Sequence, residues 1–296
     1  MKRLCWLAWL VAWVAVPAVE AQVQVELRLA NETVLLYESI PVEIRLRNVS
    51  GRTLTLGENP DAKAGWLSFF ITDENGRVVD SVATLPAGDP VVLHPGESAR
   101  RELDLLHLYE LRSVGTYRIR ATVTVAGTRS QSSSTRLIIL AGNEVARQTV
   151  GVKGAAGAME ERTYTLVVYR GPAGYRIFVR VADEQAGMVY AMLPLGDYVP
   201  LGEPMLATDA LGRLHVLIRG GSRGFQYRAI DPAGKIVDQA IYSDLQSSPR
   251  LVEDPAGMVR VRGGEKIFPR PPEAPAAPAP PPPPPKKKSW WQFWKK

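Results

Sequence analysis

Period-two alternation constrains this chain more than any other feature. In Gln22-Val-Gln-Val-Glu-Leu-Arg-Leu29 every second residue is apolar, Pro41-Val-Glu-Ile-Arg-Leu-Arg47 repeats the pattern, and Thr116 to Val125 holds it for ten residues. Successive strand side chains point to opposite faces, so each segment buries one face and wets the other. No stretch after residue 21 keeps a helical period. Short strands separated by turn signals predict an all-β chain with an N-terminal antiparallel sandwich.

The turns point the same way. Asp73-Glu-Asn-Gly76, Asp209-Ala-Leu-Gly212, Asp231-Pro-Ala-Gly234 and Asp254-Pro-Ala-Gly257 share one spacing. Asp first, Pro second and Gly fourth suit a type I turn. Each loop offers too few carboxylates for calcium, which takes six or more oxygens.

The ends differ from the body. Lys2 and Arg3 precede an apolar run, Leu4 to Val16, and Val19-Glu20-Ala21 provides a cleavage site before Gln22. That is the layout of a secretory signal peptide over 1–21, too short to span a bilayer. Cleavage would remove Cys5, the one cysteine, leaving a chain without disulfides or a thiol nucleophile. The expected location is the periplasm or cell envelope, with an extracellular one also open. The net charge of +6 sits mostly in 270–296, which carries +5, while residues 22–269 balance 28 basic against 28 acidic groups. A basic partner surface is therefore a question for the tail alone.

Residues 22–141 read as one domain. Leu111-Arg-Ser-Val-Gly115-Thr-Tyr117-Arg-Ile-Arg-Ala121 resembles the tyrosine corner of immunoglobulin-like and fibronectin type III sandwiches, with Gly115 and Tyr117 as its structural residues. Pro41-Val-Glu-Ile-Arg-Leu-Arg-Asn48 and Leu93-His-Pro-Gly-Glu-Ser98 resemble bacterial immunoglobulin-like modules. They are also similar to the small bacterial intracellular proteinase inhibitor family, which shares an Asn-ended strand, a Pro-Gly-Glu turn and a Gly-x-Tyr strand. The resemblance implies a sandwich and leaves activity open. Residues 142–162, rich in small residues, read as a linker. Residues 163–268 read as a second β-meander domain with a weak repeat: Leu206–Val216 matches Leu251–Val261 at an offset of 45. That period is blade-like, yet fewer than three units are too few for a propeller.

Chemistry is scarce. Gly220-Gly-Ser222-Arg-Gly224 matches G-x-S-x-G, but strand-like segments flank it where the hydrolase elbow needs strand then helix. His94, His107 and His215 stand at no metal-ligand spacing. His107 lies near Asp104 and Tyr109 in sequence, and Asn31 and Asn48 head glycosylation sequons. Charged ladders such as Glu43/Arg45/Arg47 read as solvated sheet surface. The expectation is a non-enzymatic exported protein with a structural or binding role and no catalytic, metal or cofactor residues.

Residues 269–285 form a proline-rich linker, with six consecutive prolines at 280–285, and 286–296 form a basic-aromatic tail. Prolines hold an extended polyproline II segment that packs no core. Trp290, Trp291, Phe293 and Trp294 share one helical face, beside Lys286, Lys287, Lys288, Lys295 and Lys296. Tryptophan favours the headgroup level of a bilayer and lysine pairs with anionic lipid. The expected contact is an anionic membrane surface or an envelope protein, without nucleic acid. Protease inhibition and partner docking are the alternative roles.

Overall fold

The computed structural model describes residues 22–57, 65–85, 90–125, 127–154, 157–220 and 224–267. The signal segment, Ser222, and the tail residues 286–296 lie outside the described residues. The first half contains β1 (Val23–Leu29), β2 (Thr33–Leu35), β3 (Pro41–Asn48), β4 (Leu54–Leu56), β5 (Leu67–Thr72), β6 (Val91–Leu93), β7 (Ser98–Asp104), a 3-10 turn (Leu105–His107), β8 (Gly115–Val125), β9 (Thr128–Gln131) and β10 (Thr135–Leu140). Two sheets face each other. One has the order β1-β3-β7; the other has the order β2-β10-β8-β5, with β9 paired to β8. Strand β2 runs parallel to β10.

Alternation places the core. Val25 lies opposite Leu46 and Leu27 opposite Ile44. Their inward faces meet Ile71, Tyr117, Ile119, Ala121 and Val123 from the second sheet. Tyr117 is buried, and its hydroxyl donates to the carbonyl of Ser113 at 2.8 Å. Asn48 ends β3 fully buried. Its amide donates to the carbonyls of Arg52 and Leu93 at 2.7 and 2.9 Å, so in the fold it serves as a structural clamp and not as an exposed glycan acceptor. Its backbone also pairs with the Pro95-Gly96-Glu97 turn.

The second half contains β11 (Asn143–Lys153), β12 (Met159–Gly171), β13 (Gly174–Asp183), β14 (Met188–Tyr198), β15 (Met205–Thr208), β16 (Leu214–Arg219), β17 (Phe225–Ile230), β18 (Ile236–Ser243), β19 (Arg250–Glu253), β20 (Val259–Arg262) and β21 (Glu265–Ile267). Residues 142–162, expected as a linker, instead form β11 and the start of β12. Glycine and alanine disguised the strand, because Ala146, Gln148, Val150 and Val152 turn inward at every second position. Only the hairpin tip around Gly154 and Gly157 behaves as a loop.

These strands form three stacked layers: β11-β12-β13-β14, then β15-β16-β17-β18-β21, then the hairpin β19-β20. Tyr164, Leu166, Ile177, Val179 and Val181 of the first layer pack on Leu214, Val216, Ile218 and Ile230 of the next. Leu217, Tyr227, Ala229 and Ala240 then pack on Leu251 and Val261 of the hairpin. The middle strands are covered on both faces, so β16 is buried continuously from Leu214 to Ile218.

The two repeat segments are equivalent hairpins. Leu206 pairs with Val216, and Leu251 with Val261. Their turns touch: the Ala210 N–H donates to the Gly257 carbonyl at 2.8 Å. All four Asp-x-x-Gly turns share one pattern, in which the aspartate Oδ1 accepts the N–H groups two and four residues on.

Only Ala141 and Gly142 separate β10 from β11. Gly142 sits at φ +73°, and a Cβ there would lie 2.4 Å from Val167 Cγ1 and 3.1 Å from Leu35 Cδ2. Glycine alone fits this position, for conformation and for space. Around the junction Leu35, Val167, Phe178 and Met192 form a buried cluster, joined by Tyr37, Leu140 and Tyr169. The two halves thus share apolar core.

Candidate functional site

Beside that shared cluster a cleft of about 550 Å³ opens between the halves. This falls within the ~300–1,000 Å³ typical of ligand sites. One wall is Tyr37, Ser39, Leu106, His107 and Arg112 of the first half; the other is the continuous stretch 186–193, at the start of β14.

Tyr37 has the one unusual backbone. It is the only non-glycine residue at positive φ among the described residues, at 69°. It occupies the third position of a turn from Leu35 to Glu38, closed by Glu38 N–H donating to the Leu35 carbonyl at 2.9 Å. Glycine is the usual residue there, and a bulky aromatic in this region is strained by roughly 1–2 kcal/mol. The Glu38 carboxylate holds the turn by accepting the Leu35 N–H at 2.8 Å. Burial pushes the Glu38 pKa up, against that hydrogen bond and the charge of Arg176. The strain places the Tyr37 ring at the junction, where it packs against the shared cluster and borders the cleft.

The facing wall is set from behind. Arg162 is buried and lies over the Tyr190 ring at 4.0 Å. Its guanidinium donates to the Pro232 carbonyl at 3.0 Å, to Glu160 at 2.6 Å and to Asp183 at 3.4 Å. A buried guanidinium tied to this many acceptors fixes the ring it covers. On the first wall, Asp104 is already occupied. It accepts from Ser39 Oγ at 2.6 Å and from the N–H groups of Ile40 and Leu106.

Of the trio noted in the sequence, His107 and Asp104 meet loosely at 3.8 Å. Tyr109 turns into the core instead, its hydroxyl bonded to both backbone groups of Phe69 at 3.0 Å. The segments flanking Ser222 are the antiparallel strands β16 and β17, with Arg219 opposite Phe225. This hairpin lacks the strand-to-helix elbow of a hydrolase. Among the described residues no cluster of three His, Cys, Asp or Glu side chains is placed to hold a metal ion.

His215 is the surprise of the second half. It is buried, with Nε2 3.0 Å from Asp209 Oδ2 and Nδ1 2.8 Å from the Tyr227 hydroxyl. Arg213 Nε donates to the same carboxylate oxygen at 2.7 Å. Burial opposes ionisation of Asp209, but hydrogen bonds from His215 and Arg213 outweigh it and hold the carboxyl below its usual range. Burial pushes the Tyr227 hydroxyl up to about 12. The line of carboxylate, imidazole and phenol looks like an acid–base relay. Its end packs edge-on against Tyr242 within the layer core, so it braces a turn. Sequence reading treated the turn and the histidine separately, because alternation does not reveal which turn a strand residue reaches.

No family model matches this chain, and no curated protein matches it. Among solved structures it is similar to the sporulation control protein Spo0M from Bacillus subtilis, at 8% identity and a TM-score of 0.30, covering 57% of this chain and 83% of that one. It is also similar to the periplasmic chaperone SfaE, at 12% identity and a TM-score of 0.22, covering 73% of this chain and 98% of that one. Both scores lie too low to carry a function across.

Proposed function

We propose that this chain is an exported, non-enzymatic binding protein of the cell envelope. Its two-domain body holds a ligand in the interdomain cleft. Its C-terminal segment, Lys286 to Lys296, touches an anionic membrane surface or an envelope protein. One observation carries the reading: a strained tyrosine is maintained where the two halves meet, at the edge of a cleft of about 550 Å³. Strain of this kind persists where the surroundings hold it and clusters at ligand sites. The tail adds lysines and tryptophans suited to an interface.

Two measurements test the two parts. Mature protein is expected to sediment with anionic vesicles more than with neutral ones, and protein lacking 270–296 is expected to lose this. Equal sedimentation by the shortened protein would remove the tail from the membrane. For the cleft, Met188→Trp, which adds bulk at an exposed lining position, is expected to abolish capture of envelope polypeptides by the mature chain. A mature chain that blocks a panel of envelope proteases at micromolar concentration would replace binding with inhibition as its role.

A further inference from the structure

We infer that the cleft takes an extended acidic peptide, which adds as a fifth strand along the outer edge of β14. The inference rests on the reading of the cleft as a binding site. It starts from sheet order. Strand β14 is last in β11-β12-β13-β14, and among the described residues no strand pairs with its outer edge. An unpaired edge presents a row of N–H and C=O groups that template another strand.

The wall itself shows that an edge faces the cleft. Ala186 and Gly187 belong to the turn before β14, and six strand residues, Met188 to Leu193, then border the cleft consecutively. A strand showing its face would contribute alternate residues only. A bulge at Tyr190 shifts the register once, yet beyond it Ala191, Met192 and Leu193 still line the wall in succession from both faces, so the backbone edge itself is presented, over about 20 Å for the six strand residues at ~3.3 Å per residue. The accessible edge has a natural end. Pro194 follows directly and has no N–H to offer, which is how natural sheets close an edge. Backbone pairing is thus confined to the stretch beside the cleft.

The opposite wall states the chemistry of the occupant. Tyr37 and Leu106 offer apolar contact, His107 offers ring nitrogens, and Arg112 offers positive charge. No carboxylate lines the cleft, and Asp104, 3.8 Å from His107, is taken up by Ser39, Ile40 and Leu106. Arg112 has an exposed side chain with no ion pair among the described residues. A strand lying on β14 would aim alternate side chains at this wall, where a glutamate or aspartate would meet Arg112. Main-chain hydrogen bonds would supply affinity and the arginine would select the acidic residue.

The test uses the full mature chain and three fluorescein-labelled octapeptides of alternating threonine and valine. The first has a central glutamate, the second a central lysine, and the third is the glutamate peptide N-methylated on alternate backbone amides, made in both phases. By fluorescence polarisation the glutamate peptide is expected to bind, and the lysine peptide about tenfold more weakly. One N-methylated phase is expected to lose about tenfold as well, since its donors face β14. Arg112→Glu is expected to invert the preference between glutamate and lysine, a result that loss of folding does not produce. Amide exchange across 188–193 is expected to slow when the glutamate peptide binds. Equal binding of both N-methylated phases and the parent peptide, unchanged exchange in β14, or no binding of the glutamate peptide at millimolar concentration would each overturn the inference. If Met188→Trp still abolishes polypeptide capture in that case, the cleft remains a binding site and strand addition alone is lost.

Discussion

The two halves are built from the same strands but bury them differently. In the sandwich each sheet covers one face, so β1 and β3 alternate buried and exposed residues along their length. In the stacked half β12 is covered on both faces, by the next layer on one side and by the junction cluster on the other, and it holds seven consecutive buried residues, Arg162 to Val168. The difference teaches that periodicity reports the number of wet faces as much as the strand itself. A chain whose second half stacks layers hides its strands from a period-two reading.

The comparison breaks most visibly at the shared cluster. Phe178 is fully buried between Val167, Met192 and Leu35, the last from the sandwich. Phe178→Ala is expected to cost about 3–5 kcal/mol in denaturant titrations. If the halves share a core, it lowers both in a single transition. Two separated transitions, with only the later strands affected, would make them independent domains.

The next effect is confined to the stacked half. Asp209 accepts from buried His215 and from Arg213. Asp209→Ala is expected to cost about 3 kcal/mol, because it leaves buried donors unmatched. The pH dependence has a definite sign. A carboxyl held below its usual range stabilises the fold above its unfolded pKa, about 4. That contribution is lost as pH falls through the lower folded value. Asp209→Asn should flatten this part of the acid unfolding curve.

The sandwich has a smaller counterpart. Tyr117→Phe keeps the buried ring and loses one hydrogen bond, to the Ser113 carbonyl, at an expected cost of about 1–2 kcal/mol by chemical denaturation. Smallest are the exposed turns. Asp73→Ala in the first half and Asp254→Ala in the second each remove the same two backbone-to-carboxylate bonds. Each is expected to cost about 1 kcal/mol, equally in both halves. An unequal pair would show that the layer stack, and not the turn, sets their value.

Those variants also trace what could be read from the sequence. Strands β1, β3 and β8, the Tyr117 corner and the four aspartate turns follow from local patterns, because each depends on residues close in sequence. Strand β11 was missed because its inward residues are alanine, glutamine and valine beside glycines. The cleft was missed for a different reason. Tyr37, Arg112 and Tyr190 come from distant segments, and nothing in Leu35-Leu36-Tyr37-Glu38 marks a left-handed tyrosine. Which strand forms a sheet edge is a property of sheet order, and alternation carries no record of it.

The short junction at Gly142 governs how fast the cleft can act. Two residues, one of them packed within 2.4 Å of where any side chain would begin, leave no hinge to absorb a large backbone rotation. The cleft therefore stands at fixed width before a ligand arrives. Association should then be a single exponential whose rate rises linearly with ligand concentration, with no plateau from a slow opening step. Differences between ligands would show up in residence time, since every ligand meets the same ready-made walls.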